Sequence, residues 1–185
     1  PIDDDSLVER NGIHYQVNSE TPYSGKSFSL HENGQKGQEV TWKDGKQDGL
    51  MTEWNENGQK VGEMHFKDGK YDGLLTSWYE SGKKKGEVIY KDGKQDGLFK
   101  VWYESGQKER ELNYKNGEPD GLHTLWYENG QRYEEYTYKD GNRNGLSTEW
   151  YENGQRNIEY TYKDGKENGL VTHWYENGQK ENEGT

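Results

Sequence analysis

Apolar residues return at every second position along short stretches of this chain, and the stretches themselves recur. In Leu74-Leu75-Thr76-Ser77-Trp78-Tyr79 the even positions carry Leu, Thr and Trp, and the odd positions vary from stretch to stretch until Tyr. The Trp column runs Trp54, Trp78, Trp102, Trp126, Trp150 and Trp174, with Leu30 in its place in the first unit. Period two is the signature of a strand with one buried face. A second strand follows each time. In it Val40, Met64, Val88, Leu112, Tyr136 and Tyr160 share a face with Trp42, Phe66, Tyr90, Tyr114, Tyr138 and Tyr162, and a glutamate (Glu39, Glu63, Glu87, Glu111, Glu135 or Glu159) precedes each residue of the first set.

Glycine punctuates the pattern. Gly25, Gly49, Gly73, Gly97, Gly121, Gly145 and Gly169 are spaced 24 apart, and two further glycine series keep that step. Segments this short between glycines are too short for packed helices, so each repeat reads as a β-hairpin. The fold class expected is all-β: an elongated, twisted antiparallel hairpin array of about fourteen strands, on the order of 65 Å long at roughly 4.8 Å per strand. Residues 1–24 depart from the motif and read as an N-terminal capping segment; residues 25–185 hold seven repeats, the last truncated. No hairpin of this size buries enough to stand alone, so stability must come from stacking neighbours.

The glutamate column bears on register. A two-residue turn would place it beside Trp and Leu, burying carboxylates at a cost of several kcal/mol each. A three-residue loop such as Glu80-Ser81-Gly82 or Glu128-Asn129-Gly130 shifts the pairing by one, puts Leu, Trp, Val and Tyr on one face and sends Glu to the other. The Trp column is then structural core. The longer connection, for example residues 67–73, reads as a wide turn.

Composition alone argues for disorder, with 26% hydrophobic and 32% charged residues and a net charge of -11. Periodically placed aromatics, 14% of the chain, outweigh that average. Absence of cysteine excludes disulfides and thiolate chemistry. No apolar run reaches the ~20 residues of a membrane-spanning helix. The chain begins at Pro1, so a secreted or envelope location is expected if a signal segment was removed, and a cytoplasmic one otherwise.

The unit Tyr-Lys-Asp-Gly-Lys-x-Asp-Gly-Leu followed by Trp-Tyr-Glu-Asn-Gly-Gln-Lys, clear in residues 138–156 and 162–180 with Asn144 and Asn168 replacing the second Asp, closely resembles the bacterial variant of the MORN repeat. The lead-in Asn11-Gly12-Ile13-His14-Tyr15 through Pro22-Tyr23-Ser24-Gly25-Lys26 is similar to the N-terminal segment of the YwqK-type proteins of that family. The resemblance implies a scaffold without catalytic residues. It also carries the label of a toxin-antitoxin antitoxin component and, for MORN repeats elsewhere, links to dimerisation and anionic lipid.

The odd-numbered face is most apolar in the middle repeats, at Leu75, Tyr79, Ile89, Phe99, Val101, Tyr103, Leu125 and Tyr127. Apolar patches on charged proteins mark interaction sites, so this face is expected to bind a protein partner or a second copy. The Tyr column gives an alternative: a carbohydrate or cell-envelope binding module. Asp-Gly-x-x-Asp-Gly loops offer two carboxylates each, too few for calcium, and turn chemistry accounts for them, so no metal and no cofactor are expected. The histidines occupy different phases of the repeat and form no triad, and the chain reads as a non-enzyme. An acidic surface repels nucleic acid, and anionic lipid meets the same objection.

Overall fold

The computed structural model describes residues 1–184, and apart from one 3-10 turn at Asp4–Ser6 its regular structure is all strand. Two compact units divide the chain, Pro1–Lys94 and Gln95–Thr185. In the first, β1 (Ile2–Asp3), β2 (Leu7–Arg10) and β3 (Ile13–Gln16) precede three hairpins. These are β4 (Gly25–Leu30) with β5 (Lys36–Lys43), β6 (Lys46–Trp54) with β7 (Lys60–Lys67), and β9 (Gly73–Trp78) with β10 (Lys84–Lys91), the short β8 (Lys70–Tyr71) leading into the last. The second unit holds four: β11 (Lys94–Trp102) with β12 (Lys108–Lys115), β13 (Glu118–Trp126) with β14 (Arg132–Lys139), β16 (Gly145–Trp150) with β17 (Arg156–Lys163), and β19 (Val171–Trp174) with β20 (Lys180–Gly184). Two-residue strands β15 (Asn142–Arg143) and β18 (Lys166–Glu167) precede the third and fourth. The hairpin strands number fourteen, as the repeat requires.

Each hairpin closes on a three-residue loop. At Glu80-Ser81-Gly82 the Tyr79 N–H donates to the Lys83 carbonyl at 2.9 Å and the Gly82 N–H to the Tyr79 carbonyl at 2.8 Å. Gly82 takes φ +79°, the left-handed residue that ends a type I turn with a bulge. The longer connection is tighter than the expected wide turn. Lys67 pairs with Lys70, leaving Asp68-Gly69 as a two-residue turn with φ of 50° and 81°, which is type I′. These turns lock onto the preceding repeat. Gly69 N–H donates to Gln47 O at 2.8 Å, and Asp48 Oδ2 accepts from Asp68 N–H at 3.2 Å. Asp72 and Asp96 do the same for the amides of Asp92 and Asn116. The second Asp of each such loop is thus spent on a backbone amide.

The three-residue loop holds, but the face assignment drawn from it does not. One more bulge follows every loop: Trp78 pairs with Lys84, Ser77 with Gly86, Thr76 with Glu87 and Leu75 with Val88. That extra residue reverses the parity. Leu, Thr and Trp share a face with the glutamates, and Val88 lies on the other face with Leu75. The buried apolar residues Val40, Met64, Val88, Leu112 and Tyr136 belong to that second face. Trp54, Trp78, Trp102, Trp126, Trp150 and Trp174 are half-buried rather than core, and Leu50, Leu74, Leu122, Leu146 and Leu170 stand exposed.

The glutamates tolerate this face because they are only part-buried and each has a cation three residues earlier. Lys60 Nζ lies 2.7 Å from Glu63 Oε2 and Lys108 Nζ 2.7 Å from Glu111 Oε2. Lys84 bonds Glu87 in the same way, and Arg132 and Arg156 serve Glu135 and Glu159. The same cations cover the next tryptophan. Lys36 sits over Trp54 at 5.4 Å from the ring centroid, Lys60 over Trp78 at 4.4 Å, Lys108 over Trp126 at 5.4 Å, and Arg132 and Arg156 over Trp150 and Trp174 at 5.8 Å. Tyrosine adds a second tie, the hydroxyls of Tyr103, Tyr127 and Tyr151 donating to the carbonyls of Trp126, Trp150 and Trp174 at 2.7 to 2.9 Å.

Segment 1–24 touches the first hairpin at the place where other repeats tie to their predecessors. Ser24 Oγ accepts from Asp44 N–H at 2.8 Å, Gly45 N–H donates to Tyr23 O at 2.7 Å, and the His14 ring lies 4.4 Å from that of Trp42. Trp42 in turn donates from Nε1 to Ser27 Oγ at 2.7 Å.

Replacing Lys60 by Met keeps the aliphatic stem and removes the charge from both Glu63 and Trp78. The expected loss is about 1 kcal/mol, the sum of a part-exposed ion pair and a cation–π contact. A double-mutant cycle with Trp78→Leu, read by urea denaturation, should show a coupling of about 0.5–1 kcal/mol. Strict additivity of the two substitutions would show that the bridge does not join the repeats.

Candidate interaction face

The corrected register gathers the positions that change from repeat to repeat. In the second unit Val101 pairs with Arg110, Arg110 with Leu125, Leu125 with Glu134, Glu134 with Glu149, Glu149 with Ile158, and Ile158 with His173. This is one row running straight across the strands, and none of its members belongs to the nearly constant Leu, Thr, Trp, Lys or Glu columns. A neighbouring row holds Phe99, Leu112, His123 and Tyr136, paired in that order. In the first unit the equivalent row is Ser29, Gln38, Glu53, Gly62, Ser77 and Gly86, all small or polar. Large side chains of mixed character are therefore a property of the second unit's face.

Charge on that face is neutralised internally. Arg143 Nη1 lies 3.1 Å from Glu134 Oε1, and its guanidinium stacks 3.6 Å above the Tyr136 ring. Burial pushes the Glu134 carboxyl up, Arg143 opposes the shift, and the facing Glu149 adds to it. Burial works against the Arg143 charge, but Tyr136 and Glu134 outweigh it and hold the guanidinium firmly protonated. Tyr160 donates to Glu149 Oε1 at 2.7 Å; burial and that bond push its hydroxyl up to about 12.

His123 stands at the centre, 5% exposed, edge-on to Tyr136 with ring centroids 4.7 Å apart. Among the described residues neither of its ring nitrogens has a hydrogen-bond partner, and Arg110 Nε is likewise buried and unpaired. Burial, then the cations Arg110 and Arg143, hold the imidazole down at about 4. Among the described residues no carboxylate hydrogen-bonds to it, as one would to orient a general base. Among the described residues no three His, Asp or Glu side chains converge on a metal-sized site.

The eight residues expected to face a partner are dispersed. Leu75, Tyr79 and Ile89 belong to the first unit and Phe99, Val101, Tyr103, Leu125 and Tyr127 to the second. Ile89 pairs with Leu74 and so lies on the opposite face, among the exposed leucines. Val101 and Leu125 flank Arg110 in the variable row, and Phe99 lies in the row beside it. Tyr103 and Tyr127 are half-buried, with hydroxyls committed to the next repeat. Replacing Tyr103 by Glu would break that tie and so cannot serve as a clean probe of binding. Arg110, His123, Glu134, Arg143, Glu149 and Ile158 escaped the sequence reading. Their signal was present, since each sits at a position that differs between repeats, but only the bulge places those positions on one face.

The His123 environment makes a pH prediction. In the unfolded chain the imidazole titrates near 6.5 and in the folded chain at about 4, so folding favours the neutral form. The full contribution to stability is present above 6.5. Between 6.5 and 4 the unfolded chain takes up a proton that the folded unit refuses, and stability falls across that window before levelling off below it. His123→Phe, which matches Phe99 one repeat earlier, should flatten this part of the urea-midpoint profile. An unchanged slope between pH 6.5 and 4 would mean that His123 is solvated in the native state.

Comparison with known families bears on the whole array. A MORN repeat variant profile matches residues 47–68, 71–92, 95–116, 119–140, 143–164 and 167–185. A comparison with curated proteins finds no match. The six matched segments take in both units and well over half of the chain, and their spacing is that of the hairpins described above: the chain belongs to the MORN repeat variant family.

Proposed function

We propose that this chain is a non-enzymatic scaffold that holds a protein partner on the variable row of its second unit. MORN repeats generally serve as scaffolds for protein or membrane interactions and are generally non-catalytic. The observation that carries the finer reading is the segregation of residue types. Nearly constant side chains tie repeats together, while the changing ones, Val101, Arg110, Leu125, Glu134, Glu149 and Ile158, share a face and follow one another across the strands. Stability asks for the first set in every repeat. A unique arrangement of the second set is what recognition of one partner asks for. An antitoxin-like role fits inside this reading, with a toxin protein as the partner.

A second surface has a specific observation in its favour. Leu122, Leu146 and Leu170 are each 54% exposed on the opposite face, an apolar ridge carried by the last three hairpins. Ridge-to-ridge pairing of two copies is the self-association that such a stripe supports.

Site-specific photocrosslinking separates the two. A benzoylphenylalanine replacing Leu125 should yield a discrete adduct with a partner protein in the cell of origin, and one replacing Leu122 should not. Adducts from position 122 alone, at twice the mass of the chain, would transfer the function to the leucine ridge and overturn the row. The row also fails if neither position yields an adduct.

A further inference from the structure

Beside the variable row, two consecutive hairpins of the second unit enclose a cavity of about 290 Å³ lined by Tyr103, Glu109, Leu125, Trp126, Tyr127 and Tyr133. The geometry points to an aromatic cage for an alkylammonium group, supplied either by a free quaternary ammonium compound or by the side chain of a lysine on a partner peptide. The cavity shares Leu125 with the row, but its assignment rests on the aromatic lining and Glu109 and does not depend on the row's proposed role.

Three features carry the assignment. The first is composition: three tyrosines and a tryptophan surround the space, and π-faces with one carboxylate are the surroundings that desolvate and hold an organic cation. Tyr127 and Tyr133 meet at 67° with centroids 5.1 Å apart, so they form two walls rather than a stack. The Tyr103 and Tyr127 rings are held in place through their hydroxyl bonds to the carbonyls of Trp126 and Trp150.

The second feature is the carboxylate. Glutamates three residues after a lysine or arginine are consumed by the cation ladder, as Glu111 is by Lys108. Glu109 stands outside that register and takes part in none of the ion pairs found among the described residues. It leaves a negative charge at the rim of an aromatic pocket.

The third is an internal precedent. Position 133 is equivalent by the 24-residue repeat to 85, and Tyr127 to Tyr79. In the first unit Lys85 occupies that position and places its ammonium 5.6 Å from the Tyr79 ring centroid. The chain thus fills the tyrosine site with its own alkylammonium in one repeat. In the later one it replaces that lysine with a third ring, 40% exposed, which walls the site and leaves it open to solvent.

The test is an NMR titration of the full chain with choline, with a peptide bearing trimethyllysine, and with 3,3-dimethylbutanol, the uncharged isostere of choline. Saturable shifts of amides in residues 103–133 are expected with a cationic ligand, and the neutral isostere should bind about tenfold more weakly. Saturation by choline assigns a free compound, and saturation by the peptide alone assigns a partner's side chain. Tyr133→Ala should weaken binding about tenfold. Tyr133→Lys, which copies the Lys85 arrangement and so preserves a packing the chain already uses, should abolish it by occupying the cage from within. The assignment is overturned if no ammonium ligand saturates, if the isostere binds as tightly as choline, or if Tyr133→Lys leaves affinity unchanged.

Discussion

Everything in this protein hangs on a cation shared between two repeats. Within each unit a lysine or arginine at the start of a second strand bonds the glutamate three residues on and reaches across to the face of the next tryptophan, as Lys60 does with Glu63 and Trp78 and Lys108 with Glu111 and Trp126. A hairpin of 24 residues with 26% apolar content along the chain cannot bury enough to fold alone. Within each unit, contacts of this kind, the shared cation, the tyrosine-to-carbonyl bond and the aspartate-to-amide bond, tie successive hairpins together. They let a chain of high charge and low hydropathy hold order without a deep core. Any one of these ties is weak, and it is their repetition at constant spacing that counts.

Assigning the ties to one set of positions frees another. Leucine, threonine, tryptophan, lysine and glutamate are nearly fixed from hairpin to hairpin and occupy the face where the cation bridges run. The alternate positions are relieved of that duty on their outer row, and in the second unit they carry valine, arginine, leucine, glutamate and isoleucine in an order that occurs once. The inner row remains structural, with Leu112 and Tyr136 buried. His123 sits in that inner row without a partner for its nitrogens, a polar residue held neutral by burial and by the arginines around it. Such a group costs stability, and it lies beside the row proposed to hold a partner.

Much of the fold was legible in the sequence because its determinants are local. Glycine at a fixed step, the period-two alternation and the Glu-x-Gly loop settle the hairpin, its three-residue turn and the fourteen strands, and the motif's resemblance pointed to the family that the repeat profile matches. Asp68-Gly69 could have been read further, since both residues adopt positive φ in a type I′ turn and the Asp-Gly pair is its usual signature. What sequence could not settle was which face each column occupies. Parity along a strand is a local property, but parity between strands depends on every extra residue in the ladder. The bulge at Lys84/Gly86 leaves no mark in the alternation of either strand. That single residue moved Trp78 away from Val88 and beside Glu87, and turned the expected penalty for a buried carboxylate into an ion pair with Lys84. By itself, then, the sequence determined the repeat, its strands and its turns. The tertiary structure decided the faces, and with them the row from Val101 to His173 and the cavity beside Tyr133, because only the pairing of strands brings residues from different repeats to one side of a sheet.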